Sequence, residues 1–182
     1  MLTAEEAVLV VVDVQGKLAR LMCDKETVFA NIQRMIRGAQ ALSVPILWAE
    51  QMPDKLGSTI AEIAGLMTDL EPIAKSSFSC AGSPRFVAAL EHLDRKQVLV
   101  TGIEAHVCVY QTAIDLAQAG YSVEVVEDAI ASRIANNRSV GVRKMAALGV
   151  GLTSTEMALF ELMGDADHPA FREVQGIIKS TP

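Results

Sequence analysis

The 182-residue sequence predicts an α/β fold. A single domain spanning residues 1–182 is expected, built on a doubly wound, mostly parallel sheet of five or six strands flanked by helices. Three observations lead there. Short runs of aliphatic, largely β-branched residues are apolar on both faces, as strands inside a covered parallel sheet are. These runs alternate with longer amphipathic stretches. The composition is 51% hydrophobic but only 4% aromatic, so Ala, Val, Leu, Ile and Met must fill the core. That suits helices packed on a sheet better than an aromatic-rich sandwich. No repeat, low-complexity tract or Pro/Gly/Ser linker divides the chain, and its length suffices for one sizeable core.

Strands are expected at residues 8–12, 45–49, 98–101, 123–126 and 150–153. Between them, residues 26–42, 84–93, 107–119 and 136–148 carry apolar side chains at three- and four-residue spacing, the amphipathic helical pattern. Gly120 and Gly149 stand where left-handed C-caps would end the last two. Ser83-Pro84 reads as an N-cap followed by a first-turn proline. Ser154 or Thr155 would cap another helix running to Met163, and His168-Pro169 precedes a short C-terminal one.

The formal net charge of −6, with no basic run, argues against a nucleic-acid-binding surface. The apolar run from residue 7 to 12 is far too short to cross a bilayer and lacks the basic flank and cleavage site of a signal peptide, so a cytoplasmic protein without membrane contact is expected. Cys23, Cys80 and Cys108 are far apart; an odd count without close pairs or His-rich spacing implies neither a disulfide framework nor a zinc site.

In open α/β sheets, sites form beyond the carboxyl ends of the strands, so the residues after each strand are the candidates. The first strand ends in Asp13, a carboxylate that is either at the mouth of the sheet or a buried group needing a partner; capping the next turn is the plainer role. The third strand leads through Thr101-Gly102 to Cys108, close to a helix start. A thiol there meets the positive end of the helix dipole, and beside a cation its usual pKa of about 8.5 would fall toward neutrality. A lone cysteine is nevertheless more often a buried small hydrophobe, which is how Cys23 and Cys80 read. Lys75 alone would be a solvated charge. Brought together, Asp13, Lys75 and Cys108 would supply base, cation and nucleophile.

The segments Leu9-Val10-Val11-Val12-Asp13-Val14-Gln15, Lys75-Ser76-Ser77-Phe78-Ser79 and Val100 through Val109, with Val125-Val126-Glu127-Asp128-Ala129 and Thr153-Ser154-Thr155-Glu156, resemble the isochorismatase-like cysteine hydrolase superfamily in order and spacing. The stretch Glu50-Gln51-Met52-Pro53-Asp54-Lys55-Leu56-Gly57-Ser58-Thr59 is similar to the branch of isochorismatase domain-containing proteins and YcaC-related hydrolases.

The resemblance implies a cysteine hydrolase acting on a small amide or related carbonyl compound through a covalent thioester-type intermediate. Asp13 would be the general base, Lys75 the cation holding carboxylate and thiolate, and Cys108 the nucleophile. Backbone N–H groups of Glu104 and Cys108 would form the oxyanion hole, with a cis peptide between Ile103 and Glu104. Nicotinamidases of the superfamily carry an Asp/His metal cluster after their second strand; here Glu50, Gln51 and Asp54 have no histidine nearby, so no metal and no cofactor are expected. True isochorismatases lack a cysteine at the nucleophile position, so Cys108 points away from isochorismate cleavage. Gln15, Trp48, Gln51 and Phe78 are candidates for touching substrate, against turn-forming or core roles; Leu56 shares the loop with Gln51. His106 matches no catalytic position. A homo-oligomer is expected from the family habit and a mean hydropathy of +0.30, with residues 171–178 as a candidate interface helix. The competing reading is a catalytically weak member acting as a binding or scaffold oligomer.

Overall fold

A computed structural model describes residues 1–180. The sheet has six strands: β1 (Ala7–Val12), β2 (Ile46–Gln51), β3 (Ile73–Lys75), β4 (Gln97–Ile103), β5 (Ser122–Ala131) and β6 (Gly151–Thr153). All pairings are parallel, in the order β3-β2-β1-β4-β5-β6. The chain winds outward from β1 in one direction, then returns to β4 and continues in the other. Its topological switch point therefore lies between β1 and β4, where the loops beyond their carboxyl ends part and leave a crevice.

β1 is entirely buried because both of its faces are covered. Leu9 and Val11 point into one core with α2 (Lys25–Ala41), α8 (Thr155–Met163) and α9 (Phe171–Lys179). Val8, Val10 and Val12 point into the other, with α5 (Pro84–His92), α6 (Cys108–Gln118) and α7 (Ala135–Ala147). Each such aliphatic side chain contributes about 1.5–3 kcal/mol by leaving water, so this strand anchors the molecule from both sides. Gly120 and Gly149 end α6 and α7 with positive φ, as their positions predict. Ser83 and Ser154 cap α5 and α8, accepting hydrogen bonds from the Phe86 and Met157 N–H groups.

Differences from the sequence reading have local causes. β3 escapes notice because three residues carry no periodicity, yet they place Lys75 at the sheet's carboxyl edge. The short helices α1 (Gly16–Arg20), α3 (Pro53–Leu56) and α4 (Ala61–Ala64) are likewise too brief to show a stripe. β5 continues past residue 126 to Ala131 after a register shift against β4. Within this irregularity, the Asp128 carboxylate accepts hydrogen bonds from the N–H and hydroxyl of Thr155, tying β5 to the start of α8. Gly102, expected beyond the strand's end, lies inside β4 at φ +113°, against β1; a Cβ there would overlap the Val12 carbonyl oxygen. The α9 helix, expected at an interface, turns buried Val174 and half-buried Phe171 and Ile178 onto its own chain's core.

Candidate active site

β1 ends at Val12, and Asp13 follows in the left-handed region at φ +53°, a conformation Asp tolerates better than most residues. The strand end thereby turns the carboxylate across the mouth of the sheet. β3 ends at Lys75, two strands away, and its side chain reaches back under the loops. Lys75 Nζ donates to Asp13 Oδ2 at 2.7 Å and to Gln51 Oε1 at 2.8 Å. It also bonds the carbonyls of Ser77 and Phe78, at 3.2 and 3.0 Å. The ammonium is thus saturated by oxygen acceptors and fully buried. Among the described residues its carboxylate partner is Asp13, the opposite charge a buried ammonium needs.

Cys108 is the first residue of α6 and is mostly buried. The peptide bond between Ile103 and Glu104, at the exit of β4, is cis. The loop it begins delivers Cys108 to a small cavity of about 100 Å3 that Asp13, Gln51 and Glu104 also line. Apolar walls complete it: Leu18, Leu56, Phe78, Ile103 and Val107. Neither the Glu104 nor the Cys108 backbone N–H is among the backbone donors that find an acceptor within the described chain.

One oxygen stands out. Among the described residues, Asp13 Oδ1 is the single buried side-chain nitrogen or oxygen without a hydrogen-bond partner. Buried polar atoms are nearly always satisfied, so an orphaned carboxylate oxygen on a residue that shares a cavity with a thiol marks a candidate place for chemistry or a ligand. Burial raises the Asp13 pKa above its ordinary value, while Lys75 and the Cys108 thiol pull the other way. The Cys108 thiol is pushed up as well, first by burial and then by the Asp13 charge, with Lys75 opposing. This corrects the expectation of a thiol lowered toward neutrality. The helix start and nearby cation are in place, but desolvation and an adjacent carboxylate outweigh them. Burial and the adjacent carboxylate both favour the neutral thiol of Cys108.

The other candidates divide. Gln51 and Phe78 line the cavity. Gln15 and Trp48 do not. Gln15 is fully buried; its amide donates to the Gln51 and Gly57 carbonyls and accepts from the Gln51 N–H, locking the loops after β1 and β2 together. Trp48 sits in the core beneath α2, its Nε1 donating to Thr59 Oγ1 at 2.7 Å. Thr59 in turn donates from its hydroxyl and its N–H to Glu50 Oε1. The Glu-Gln…Gly-x-Thr stretch is therefore mostly loop architecture. His106 bonds Ser132 Oγ at 2.9 Å, away from the cavity lining. Cys80 is buried near Asp13 and Lys75, its thiol pushed up to about 12 by burial; its N–H donates to Thr112 Oγ1 on α6. Among the described residues no cluster of three or more His, Cys, Asp or Glu is arranged to hold a metal ion.

Sequence reading missed Leu18, Ile103 and Val107 as cavity walls. It also missed Arg133, whose guanidinium bonds the carboxylate of the lining residue Glu104. Burial alone would raise the Glu104 pKa, but the Arg133 hydrogen bonds and charge hold it below the usual range. None of these residues carries a local signal; α1, the end of β4, the loop before α6 and the segment after β5 bring them together.

Comparison with known proteins agrees with this architecture. The isochorismatase domain family matches residues 7–157. The chain belongs to the isochorismatase family. Among curated isochorismatase relatives, a "Secreted isochorismatase effector Isc1" of Phytophthora sojae is 37% identical, over 98% of this chain and 87% of that protein. Isochorismatase domain-containing protein 2 of Xenopus laevis is 36% identical over 94% of this chain and 83% of its own length. Among solved structures, that described as MAR1 ribonuclease from Caenorhabditis elegans superposes with a TM-score of 0.92 at 34% identity, covering 99% of this chain and 93% of that one. YcaC of Escherichia coli, described as an octameric hydrolase of unknown specificity, shares the fold at a TM-score of 0.86 and 22% identity, covering 96% and 94%. Family membership makes this isochorismatase-like chain a member of a hydrolase family. Among its described residues no helix is long and apolar enough to cross a membrane.

Proposed function

We propose that this protein is a metal-independent cysteine hydrolase that cleaves a small amide or related carbonyl compound through Asp13, Lys75 and Cys108. The observation that carries the reading is the orphaned Asp13 Oδ1 beside the Cys108 thiol in an apolar cavity. Asp13 takes the thiol proton as Cys108 Sγ bonds to the carbonyl carbon. The free N–H groups of Glu104 and Cys108 hold the developing oxyanion, each such donor contributing about 3–4 kcal/mol. Asp13 passes its proton to the leaving nitrogen, the C–N bond breaks and a thioester remains. Water then attacks the thioester, Asp13 accepting its proton and returning it to sulfur as the acid departs. Lys75 acts through Asp13: it keeps the carboxylate ionised and oriented, and does not itself reach the cavity.

Three free thiols, with no disulfide among the described residues, favour a reducing cytoplasmic setting. Among the described residues no Lys or Arg lines the cavity, which speaks against phosphodiester substrates and against nucleic acid as a partner. A homo-oligomer is proposed from the assembly described for YcaC; sedimentation as a monomer at working concentration would remove that part.

The test is an amide panel, with an RNA oligonucleotide as a contrasting substrate, against wild type and Cys108→Ala, read by product release and by intact mass for an acyl-enzyme. Wild type is expected to turn over at least one amide and the variant none. Turnover that survives in Cys108→Ala, or RNA as the sole substrate, sinks the proposal.

A further inference from the structure

The wall chemistry of the cavity narrows what it admits. Asp13 and Glu104 are among the residues that line it, and the cations nearest to them, Lys75 and Arg133, are each bound to a carboxylate. The Lys75 ammonium divides its three protons among Asp13, Gln51 and two carbonyls, with its side chain fully out of solvent. Arg133 is turned onto Glu104 through Nε and Nη2, at 3.0 and 3.3 Å, and is not part of the lining. An anion entering here would leave water for Leu18, Leu56, Phe78, Ile103 and Val107, approach the Asp13 charge and meet no cation.

Size and polarity point the same way. A dry cavity of ~150 Å3 holds benzene. At about 100 Å3 this one takes an acyl group smaller than an aromatic ring, while the mouth beside exposed Leu56 and Phe78 leaves room for a substituent outside. The polar groups form a matched pair: two unengaged backbone N–H groups for a carbonyl oxygen, and the unpartnered Asp13 Oδ1 for an N–H donor. A primary amide presents both; an ester lacks the donor.

We infer that the substrate is an uncharged, short-chain aliphatic primary amide, and that anionic compounds of equal size are rejected. The inference rests on the cysteine-hydrolase reading for its chemistry: amide and water give carboxylate and ammonium, with no oxidant or reductant. The carboxylate product carries the charge the cavity disfavours, which promotes its release.

The test begins with probes that need no turnover. Iodoacetamide and iodoacetate, matched in size and differing in charge, are reacted with the folded wild-type protein, and alkylation of Cys108 is followed by peptide mass mapping so that Cys23 and Cys80 are counted apart. The preference for the neutral reagent is expected to exceed that of glutathione in the same buffer by at least about tenfold. A smaller excess, a reversed preference, or failure of both reagents to reach Cys108 overturns the inference. Leu56→Arg, which sets a cation at the mouth, is expected to bring the preference back toward that of glutathione; an unchanged preference in a variant with native circular dichroism counts against the charge argument. Ammonia release from butyramide and from succinamate separates the two claims. Selective alkylation without ammonia from any amide sinks the hydrolase reading and leaves the neutral-ligand cavity standing. Equal turnover of the two amides overturns the inference and leaves the hydrolase reading intact.

Discussion

Lys75 Nζ lies 2.7 Å from Asp13 Oδ2, joining the end of the edge strand β3 to the end of β1 through a fully buried ion pair. The pair spans the intervening strand β2, whose Gln51 supplies a further acceptor to the same ammonium. Removing either charge therefore has a structural cost as well as a chemical one.

Replacing Lys75 by Met leaves the Asp13 charge buried without its cation. A loss of about 3–5 kcal/mol is expected, together with protonation of Asp13 and slower alkylation of Cys108. Combining Lys75→Met with Asp13→Asn should restore most of the stability and none of the reactivity. Urea unfolding of the two single variants and the double variant measures the coupling; simple additivity would show that the pair is not an energetic unit.

The pH dependence follows from the direction of the Asp13 shift. Burial raises its pKa above the ordinary 3.8, with Lys75 only partly offsetting this. Between the ordinary and the raised value, the unfolded chain has released the Asp13 proton while the native protein still holds it. Asp13 therefore contributes stability that is fully present below the ordinary value and lost as pH rises through the folded one. The stability of wild type relative to Asp13→Asn should grow on acidification through that window. A difference in urea midpoint that stays flat or shrinks would contradict it. The acid limb of Cys108 alkylation should likewise lie above the ordinary Asp range, and should vanish in Asp13→Asn.

Trp48 is buried and bonded to Thr59, so its role is to hold the loop after β2. Trp48→Phe should cost about 1 kcal/mol for the lost hydrogen bond and leave substrate affinity unchanged. Thr59→Val should cost about 3 kcal/mol, because it strands the indole N–H and removes a donor from buried Glu50. A raised KM in Trp48→Phe with unaltered stability would return Trp48 to the substrate-binding set.

Gly102 pairs with Val12 where β4 runs beside β1 at the switch point, and leaves no room for a Cβ against the Val12 backbone. Gly102→Ala is expected to cost at least about 2 kcal/mol through overlap with the Val12 carbonyl and its positive φ. Gly120→Ala, also at positive φ but in open space, should cost about 1 kcal/mol. Denaturation midpoints of the two variants compare these directly, and equal effects would mean that the close approach carries no energetic weight.

Much of this architecture is legible in the residue order. The runs around Val8–Val12 and Val98–Thr101 announce buried parallel strands because both faces are aliphatic, and the helices declare themselves by their apolar stripes. Asp13 and Cys108 could be picked out by type and position near strand ends, and Lys75 only by the company it would keep with them and by the family resemblance. Their meeting could not be read this way. It depends on the crossover order that brings β3, β1 and the β4–α6 loop to one edge, and parallel pairing leaves no trace in local periodicity. The protonation of Cys108 was likewise decided in three dimensions: helix position argues for a thiolate, while burial beside Asp13 reverses the sign. The same holds for the cavity walls and for the withdrawal of Gln15 and Trp48 into the loop framework. Short-range pattern determines which segments are strands and helices because backbone and patterning preferences are local. Desolvation, ion pairing and cavity shape are properties of neighbours distant in sequence, and only the packed chain sets them.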